Sequence, residues 1–261
     1  MAGVRGEIPN LTFDDLLKRY AKEVSSKKKG ARWEIVRLNA FGLDRLAAVK
    51  LRQLGPSHVS DWRERRLEDV SGASVRREWN LLSHVCTYAV REWSWLKVNP
   101  FKGLSRPADS KPRNRIASPA ELTKLLSLAS PAMRRVIVVA VETGMRASEI
   151  ASNPARQGRV VTLPDSKNGH GREIPLSGKA MEAWVDDFGL TAGSISALFA
   201  KLCKAAKIED LTLHDLKHTA VTQLAKKLDP LDLAKMVGTT DLKLLISVYY
   251  KADMEEVAKK L

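Results

Sequence analysis

Residues 105–118 read SRPADSKPRNRIAS, with two prolines, four basic residues and no sustained apolar period. Proline cannot continue a helix interior or a central strand, and nothing here repeats at 3.6 or 2 residues, so the segment interrupts regular structure. It cuts a chain of 261 residues into two parts, each long enough to enclose a core of its own. The reading is a first domain at 1–106, a basic linker at 107–117 and a second domain at 118–261.

The first part reads as helices. Thr12 or Asn10 can cap a helix in which Phe13, Leu16, Leu17 and Tyr20 recur at helical spacing. After the SSKKKG turn a second helix is expected over residues 33–46, with Trp33, Val36 and Arg37 opening a face that runs on through Leu38 and Phe41 as a core stripe. A short third helix, capped by Ser60 or Asp61, is expected to expose Arg63, Arg65 and Arg66. The long run from Ser71 or Ser74 carries Val75, Trp79, Leu82, Val85 and Ala89 on one face, with Arg76 and Arg77 off it, and Asn99-Pro100 closes the helical region.

The second part opens on Ser118-Pro119-Ala120-Glu121. Serine as cap, proline at the first helical position and glutamate three after the cap make a capping box, so a helix starts here. A buried helix follows over 134–141 and breaks at Thr143-Gly144-Met145-Arg146. Residues 159–164 and 172–176 are β-type runs flanking DSKNGHG, which predicts a hairpin with Lys167 at its tip. Helical patterns then cover 177–187, 193–206, 213–227, 231–237, 242–250 and 254–261. The fold class is therefore mainly α with a small β-hairpin or sheet.

Charge is basic in both parts. Up to residue 110 there are 21 basic against 13 acidic residues, and beyond it 23 against 17, for +14 in all. A basic tail would concentrate the excess at one end; charge on both parts suits a protein that lays both against a polyanion. The sequence MAGVRGEIPN has no apolar core of signal-peptide length and the apolar run 136–141 is far too short to span a bilayer, so a cytosolic protein without a membrane partner is expected. Cys86 and Cys203 lack CxxC spacing and read as buried free thiols of a reducing compartment.

The chemistry concentrates in residues 211–251. His214, Lys217 and His218 fall at i, i+3 and i+4 and share one face of a helix starting near Thr212. Two imidazoles and an ammonium make a site for an anion, and the phenol of Tyr249 or Tyr250, returning to it, would be a nucleophile presented to that anion. A phosphodiester is the obvious candidate. Arg146, at a turn between helices, can fork onto phosphate oxygens, with Glu149 holding its guanidinium. Lys167 on a glycine-rich hairpin can swing into a site and donate a proton. Lys27, Lys28 and Lys29 are either a solvated loop or an edge that contacts phosphates, and Arg76 and Arg77 stand between the same two readings. Lys111, Arg113 and Arg115 give the linker the charge to cross a DNA backbone. HDLKH also has the two-histidine spacing of zinc helices, with Asp215 in the glutamate's place, but Lys217 would put a cation on the ligand face and no third-ligand motif follows. No metal and no cofactor is expected.

With these residues in view the chain resembles the tyrosine recombinases, the family of phage integrases and related site-specific recombinases, over nearly its whole length. The resemblance implies a helical core-binding domain followed by an α+β catalytic domain, the two clamping double-stranded DNA. TGMRASEI is similar to the family's first arginine box, implying Arg146 as a phosphate clamp supported by Glu149. SKNGHGREIPLS is similar to its lysine hairpin, implying Lys167 as general acid toward the leaving 5′ oxygen. HDLKH resembles the HxxRH box, implying His214 in phosphate and proton handling with His218 in support. VYYKADMEEVAKKL resembles the nucleophile region and tail, implying Tyr249 as nucleophile, Tyr250 as a packing partner, and a homotetramer on paired DNA sites that exchanges tails. A chain beginning so near its first core-binding helix is expected to read core sites without separate arm sites. A protein of this kind belongs in the bacterial cytoplasm or nucleoid if a phage or mobile element encodes it.

Three positions depart from the pattern. Lys217 stands where the family has its second arginine, keeping the charge but losing the bidentate grip. Thr239, in VGTTD, stands where the family has a histidine, leaving a hydroxyl that can hydrogen-bond but carries no charge. The spacing from Thr239 to the tyrosines is one residue longer than usual, which leaves Tyr249 and Tyr250 in competition. Two functions follow: a DNA strand transferase working through a 3′-phosphotyrosyl intermediate, or a DNA-binding relative of the same fold that cleaves slowly or never.

Overall fold

The structure, a computed structural model, describes residues 7–109, 113–164 and 171–249. Lys111, Lys167, Tyr250 and the helix expected at 254–261 lie outside the described residues. The chain divides into two compact units, Met1–Pro112 and Arg113–Leu261.

In the first unit, helix α1 (Phe13–Glu23) starts where Thr12 accepts from the Asp15 amide and Asp15 accepts from the Thr12 amide, and it buries Phe13, Leu16, Leu17 and Tyr20. Helices α2 (Ala31–Phe41), α3 (Pro56–Asp69) and α4 (Gly72–Arg91) complete the bundle. Phe101 packs edge-on against both Trp62 and Trp79 in a core with Leu82 and Val85. Truncating a ring in such a cluster costs about 3–5 kcal/mol, because the void does not close.

Four expectations for this unit need correction. Helix α2 ends at Phe41, where the Gly42 amide bonds back to Leu38 and Asn39, and a 3₁₀ turn at Arg45–Ala48 follows. Its expected core stripe is split: Leu38 and Phe41 are buried, but Trp33 and Val36 lie on the opposite side, 48% and 63% exposed. Helix α3 begins at Pro56, which fits the first turn because its missing N–H is not needed there. Its arginines are paired within the unit: Arg65 with Asp44, Arg66 with buried Glu78, and Arg63 with Glu64 and the Ser105 carbonyl.

The second unit is built around α6 (Pro131–Thr143), whose Met133, Val136, Ile137, Val139 and Ala140 are buried. Around it lie α5 (Pro119–Leu128), α7 (Ala147–Ile150), α8 (Gly178–Ala183), α9 (Ala192–Ala205) and α10 (Leu213–Leu224). The capping box at Ser118 and Glu121 forms as its spacing predicts. Strands β1 (Arg156–Gln157), β2 (Val160–Leu163) and β3 (Arg172–Pro175) make an antiparallel sheet in that order, with Val161 opposite Ile174 and Leu163 opposite Arg172. Helix α11 (Pro230–Val237) packs on β3, and α12 (Leu242–Tyr249) packs on α11 through a small core of Val221, Leu233, Val237 and Leu245. Both cysteines are buried and unpaired. No helix among the described residues is long and apolar enough to cross a membrane.

Candidate active site

Gly144 ends α6 in the left-handed conformation at φ 67°, which a side chain would oppose, and a Cβ added there would lie 3.8 Å from Ala220, Val221 and Val237. The turn that follows carries Arg146 close enough to α10 for its charge to act on His214 and Lys217. Arg146 caps α7: its amide donates to Glu149 at 2.8 Å and its guanidinium to the other Glu149 oxygen at 2.7 Å. Glu149 also accepts from Arg172 at 2.8 Å. Burial works against the Glu149 charge, but the Arg172 and Arg146 donors outweigh it and hold the carboxyl below its usual range.

Helix α10 is anchored by Asp215, which accepts from the Thr212 amide and hydroxyl and from the Arg113 guanidinium. Asp215 is buried, turned away from the face that His214, Lys217 and His218 share. It does not stand as the glutamate of a zinc helix would, and among the described residues no cluster of three metal-ligating side chains forms. The His214 and His218 rings lie 5.6 Å apart, edge to face. Burial, then the charges of His218, Lys217 and Arg146, pushes the His214 pKa below the ordinary histidine value. Lys217 reaches the Val237 carbonyl at 3.4 Å, and burial followed by the Arg146 charge pulls it down to about 8.

Helix α12 returns Tyr249 to this face. Its hydroxyl lies 2.6 Å from His218 Nδ1 and the two rings are stacked. Burial raises the phenol's pKa, so loss of its proton calls for an acceptor in contact. His218 is that contact; proton handling was expected of His214 on the same helix. Thr239 lies in the turn before α12, its hydroxyl accepting from the Asp241 amide at 3.2 Å.

The basic residues read as DNA contacts divide by what they already hold. Lys27, Lys29 and Arg77 are exposed. Lys28 bonds Glu34 and the Tyr20 hydroxyl. Arg76 bonds the Pro107 carbonyl and pairs with Asp109. Arg113 pairs with Asp210 and Asp215, and Arg115 with Glu121. Sequence reasoning passed over Arg172, which joins Glu149 to the Met236 carbonyl of α11. Its signal was available: an arginine two residues before Ile174 occupies the inward face of an alternating strand.

The arrangement gathers Arg146, Lys217, His214 and a tyrosine–histidine pair on neighbouring surfaces of one unit, a set that can bind a phosphate and present a phenol. No protein-family profile matches the sequence. A Haemophilus influenzae protein provisionally named integrase/recombinase is 34% identical, the match covering 98% of this chain and 92% of the relative. The shufflon-specific DNA recombinase of Escherichia coli is 27% identical over 91% of this chain and 68% of its own length. Among solved structures, the Tn1549 transposon integrase in complex with circular intermediate DNA matches 96% of this chain and 99% of its own at TM-score 0.75 and 18% identity. A λ integrase dimer bound to a COC′ core site matches 94% of this chain and 78% of its own at TM-score 0.78, also at 18% identity. Full-length similarity to curated integrases, a helical unit followed by a unit with a small antiparallel sheet, and a tyrosine brought back to a basic helix face lead to one assignment: the chain belongs to the tyrosine recombinase/integrase family.

Proposed function

We propose that this chain is an active site-specific DNA recombinase that cuts and rejoins duplex DNA through a 3′-phosphotyrosyl intermediate. The observation that carries the reading is the 2.6 Å contact between Tyr249 Oη and His218 Nδ1 beside Arg146 and Lys217. Tyr249 attacks the scissile phosphorus and the P–O5′ bond breaks. The phenolic proton passes to His218 Nδ1, the ring nitrogen in contact with the hydroxyl, in the tautomer that carries its hydrogen on Nε2. The leaving 5′ oxygen takes a proton from Lys167, the role the family resemblance gives that residue. Arg146, Lys217 and His214 stabilise charge on the non-bridging oxygens. A second strand's 5′ hydroxyl then attacks the phosphotyrosyl ester and restores the phenol, so the exchange balances with no external energy source.

Residues 1–106 act in this reading as the core-binding domain, 107–117 as the linker and 118–261 as the catalytic domain. The working form is a homotetramer on paired double-stranded sites, by analogy with the λ integrase tetramer bound to a Holliday junction, in the cytoplasm or nucleoid of a bacterial host. The second reading, a binding module of the same fold, draws on Lys217 and Thr239, which weaken the charge array.

A nicked suicide duplex carrying the core site separates the two. The parent should become covalently attached to DNA; Tyr249→Phe should bind equally and form no adduct, and Tyr250→Phe should still form it. An adduct from both variants removes Tyr249 as nucleophile, and none from the parent leaves the binding module.

A further inference from the structure

Arg172 occupies a position where the sheet calls for an apolar side chain. It lies opposite Leu163 on β2, on the same inward face as Ile174, and only 5% of its side chain is exposed. Three elements meet at its guanidinium. Nη2 donates to Glu149 of α7, Nε donates to the Met236 carbonyl at 3.0 Å, and Cδ, Nη1 and Nε lie against Gly238 just beyond α11. Nη1 is buried without a partner. The next carbonyl, Val237, takes the Lys217 ammonium, so two cations from different elements sit on the negative end of α11.

This is a costly way to fill a core position. A buried guanidinium with one N–H unpaired is worse for stability than a well-packed apolar side chain of similar size. Arg146, Arg172 and Lys217 together bring three positive charges to one carboxylate, Glu149, a set left electrically incomplete until an anion arrives. Side-chain exposure is graded along the chain of contacts, from 5% at Arg172 through 14% at Glu149 to 45% at Arg146. The exposed end is the group free to touch a ligand; the buried end holds it.

We propose that Arg172 is a positioning residue of the phosphate site: it locks Glu149, and through Glu149 the guanidinium of Arg146, while fixing the α11 terminus beside Lys217. The proposal rests on the reading of this patch as a phosphate site. Without Arg172, Glu149 loses one of its two guanidinium partners and Arg146 regains rotamer freedom, so a bound phosphate meets a clamp that must be ordered during the reaction.

The test uses the full chain with Arg172→Met and Arg172→Lys, and three readings of each. Duplex affinity is measured by anisotropy, adduct formation on a nicked duplex under single turnover, and the rise in Tm given by inorganic phosphate over chloride at equal ionic strength. Arg172→Met should bind duplex like the parent, form adduct about 10²-fold more slowly, as loss of one preorganised charged donor does elsewhere, and lose the phosphate-dependent rise. Arg172→Lys retains the charge but cannot span both partners, and should be about tenfold slower with binding intact. If Arg172→Met does not fold, Arg172→Lys decides alone. Parental cleavage and a parental phosphate response in a folded variant would overturn the proposal, as would a parent whose Tm is indifferent to phosphate. A parent that forms no adduct but loses its phosphate response on Arg172→Met would end the recombinase reading and leave the placement of Arg172 standing.

Discussion

Lys217 answers two conflicting demands. Burial first, then the Arg146 and Arg172 charges, outweigh the opposing pull of the Glu149 carboxylate and bring its pKa from an ordinary 10.5 down to about 8. The folded protein then binds fewer protons than the unfolded chain between those values. The charged form therefore costs stability at neutral pH, and the cost is relieved as pH rises through that window. Lys217→Met should raise Tm at pH 7 and slow cleavage by about 10²–10³, whereas Lys217→Arg should keep or raise the rate. Cleavage that depends on the ammonium should fall above about pH 8 in the parent, and Lys217→Arg, always charged, should extend the plateau upward. The same alkaline limb in both proteins would assign that titration to another group.

At the scale of elements, the terminus of α11 joins hairpin to helix. Gly238 stops α11 at φ 70°, and an added Cβ would lie 2.9 Å from Arg172 Cδ and 3.1 Å from its Nη1. Gly238→Ala should cost about 1–2 kcal/mol for the left-handed backbone and about 1–3 kcal/mol more for overlap with Arg172, read as a shift in the urea midpoint. Cleavage should fall further than stability alone explains, because the displaced guanidinium releases both Glu149 and the Met236 carbonyl. Helix α10 is held from the other side: Thr219 accepts from the Ala117 amide and Asp215 from Arg113, so the start of the second unit is tied to the helix that carries both histidines.

For the whole molecule, the net charge of +14 overstates what is free to meet a polyanion. Many arginines are already paired inside their own unit, so the phosphate contacts we propose are expected of exposed side chains such as Lys27, Lys29 and Arg77. Affinity for duplex DNA should still drop by about 10³–10⁵ between 50 and 200 mM salt if about 6–10 phosphates are contacted. Arg77→Ala should reduce the magnitude of the log–log salt slope by about one, with Tm unchanged. Arg113→Ala should do the opposite, lowering Tm by leaving buried Asp215 short of its cation while barely changing the slope. A reduced slope for Arg113→Ala would show that its ion pairs open on DNA.

By itself the sequence determined the order of elements, because their signals lie within a few residues of one another. Caps at Thr12 and Ser118, the stop at Gly144 and the alternating runs on either side of residues 165–170 sufficed for a mainly helical chain with one small sheet. The boxes around Arg146 and His214 were legible for the same reason, and they carried the family. Only the tertiary structure decided which histidine meets the tyrosine. His214 and His218 share a helix face, and it is the packing of α12 on Val221 and Val237 that brings Tyr249 to His218. Helical period alone also ran the apolar residues of α2 together as one stripe; packing buried Leu38 and Phe41 and left Trp33 and Val36 exposed. Arg172 is the strongest case, since a charge at an inward strand position acquires meaning only when Glu149, Met236 and Gly238, distant in sequence, close around it.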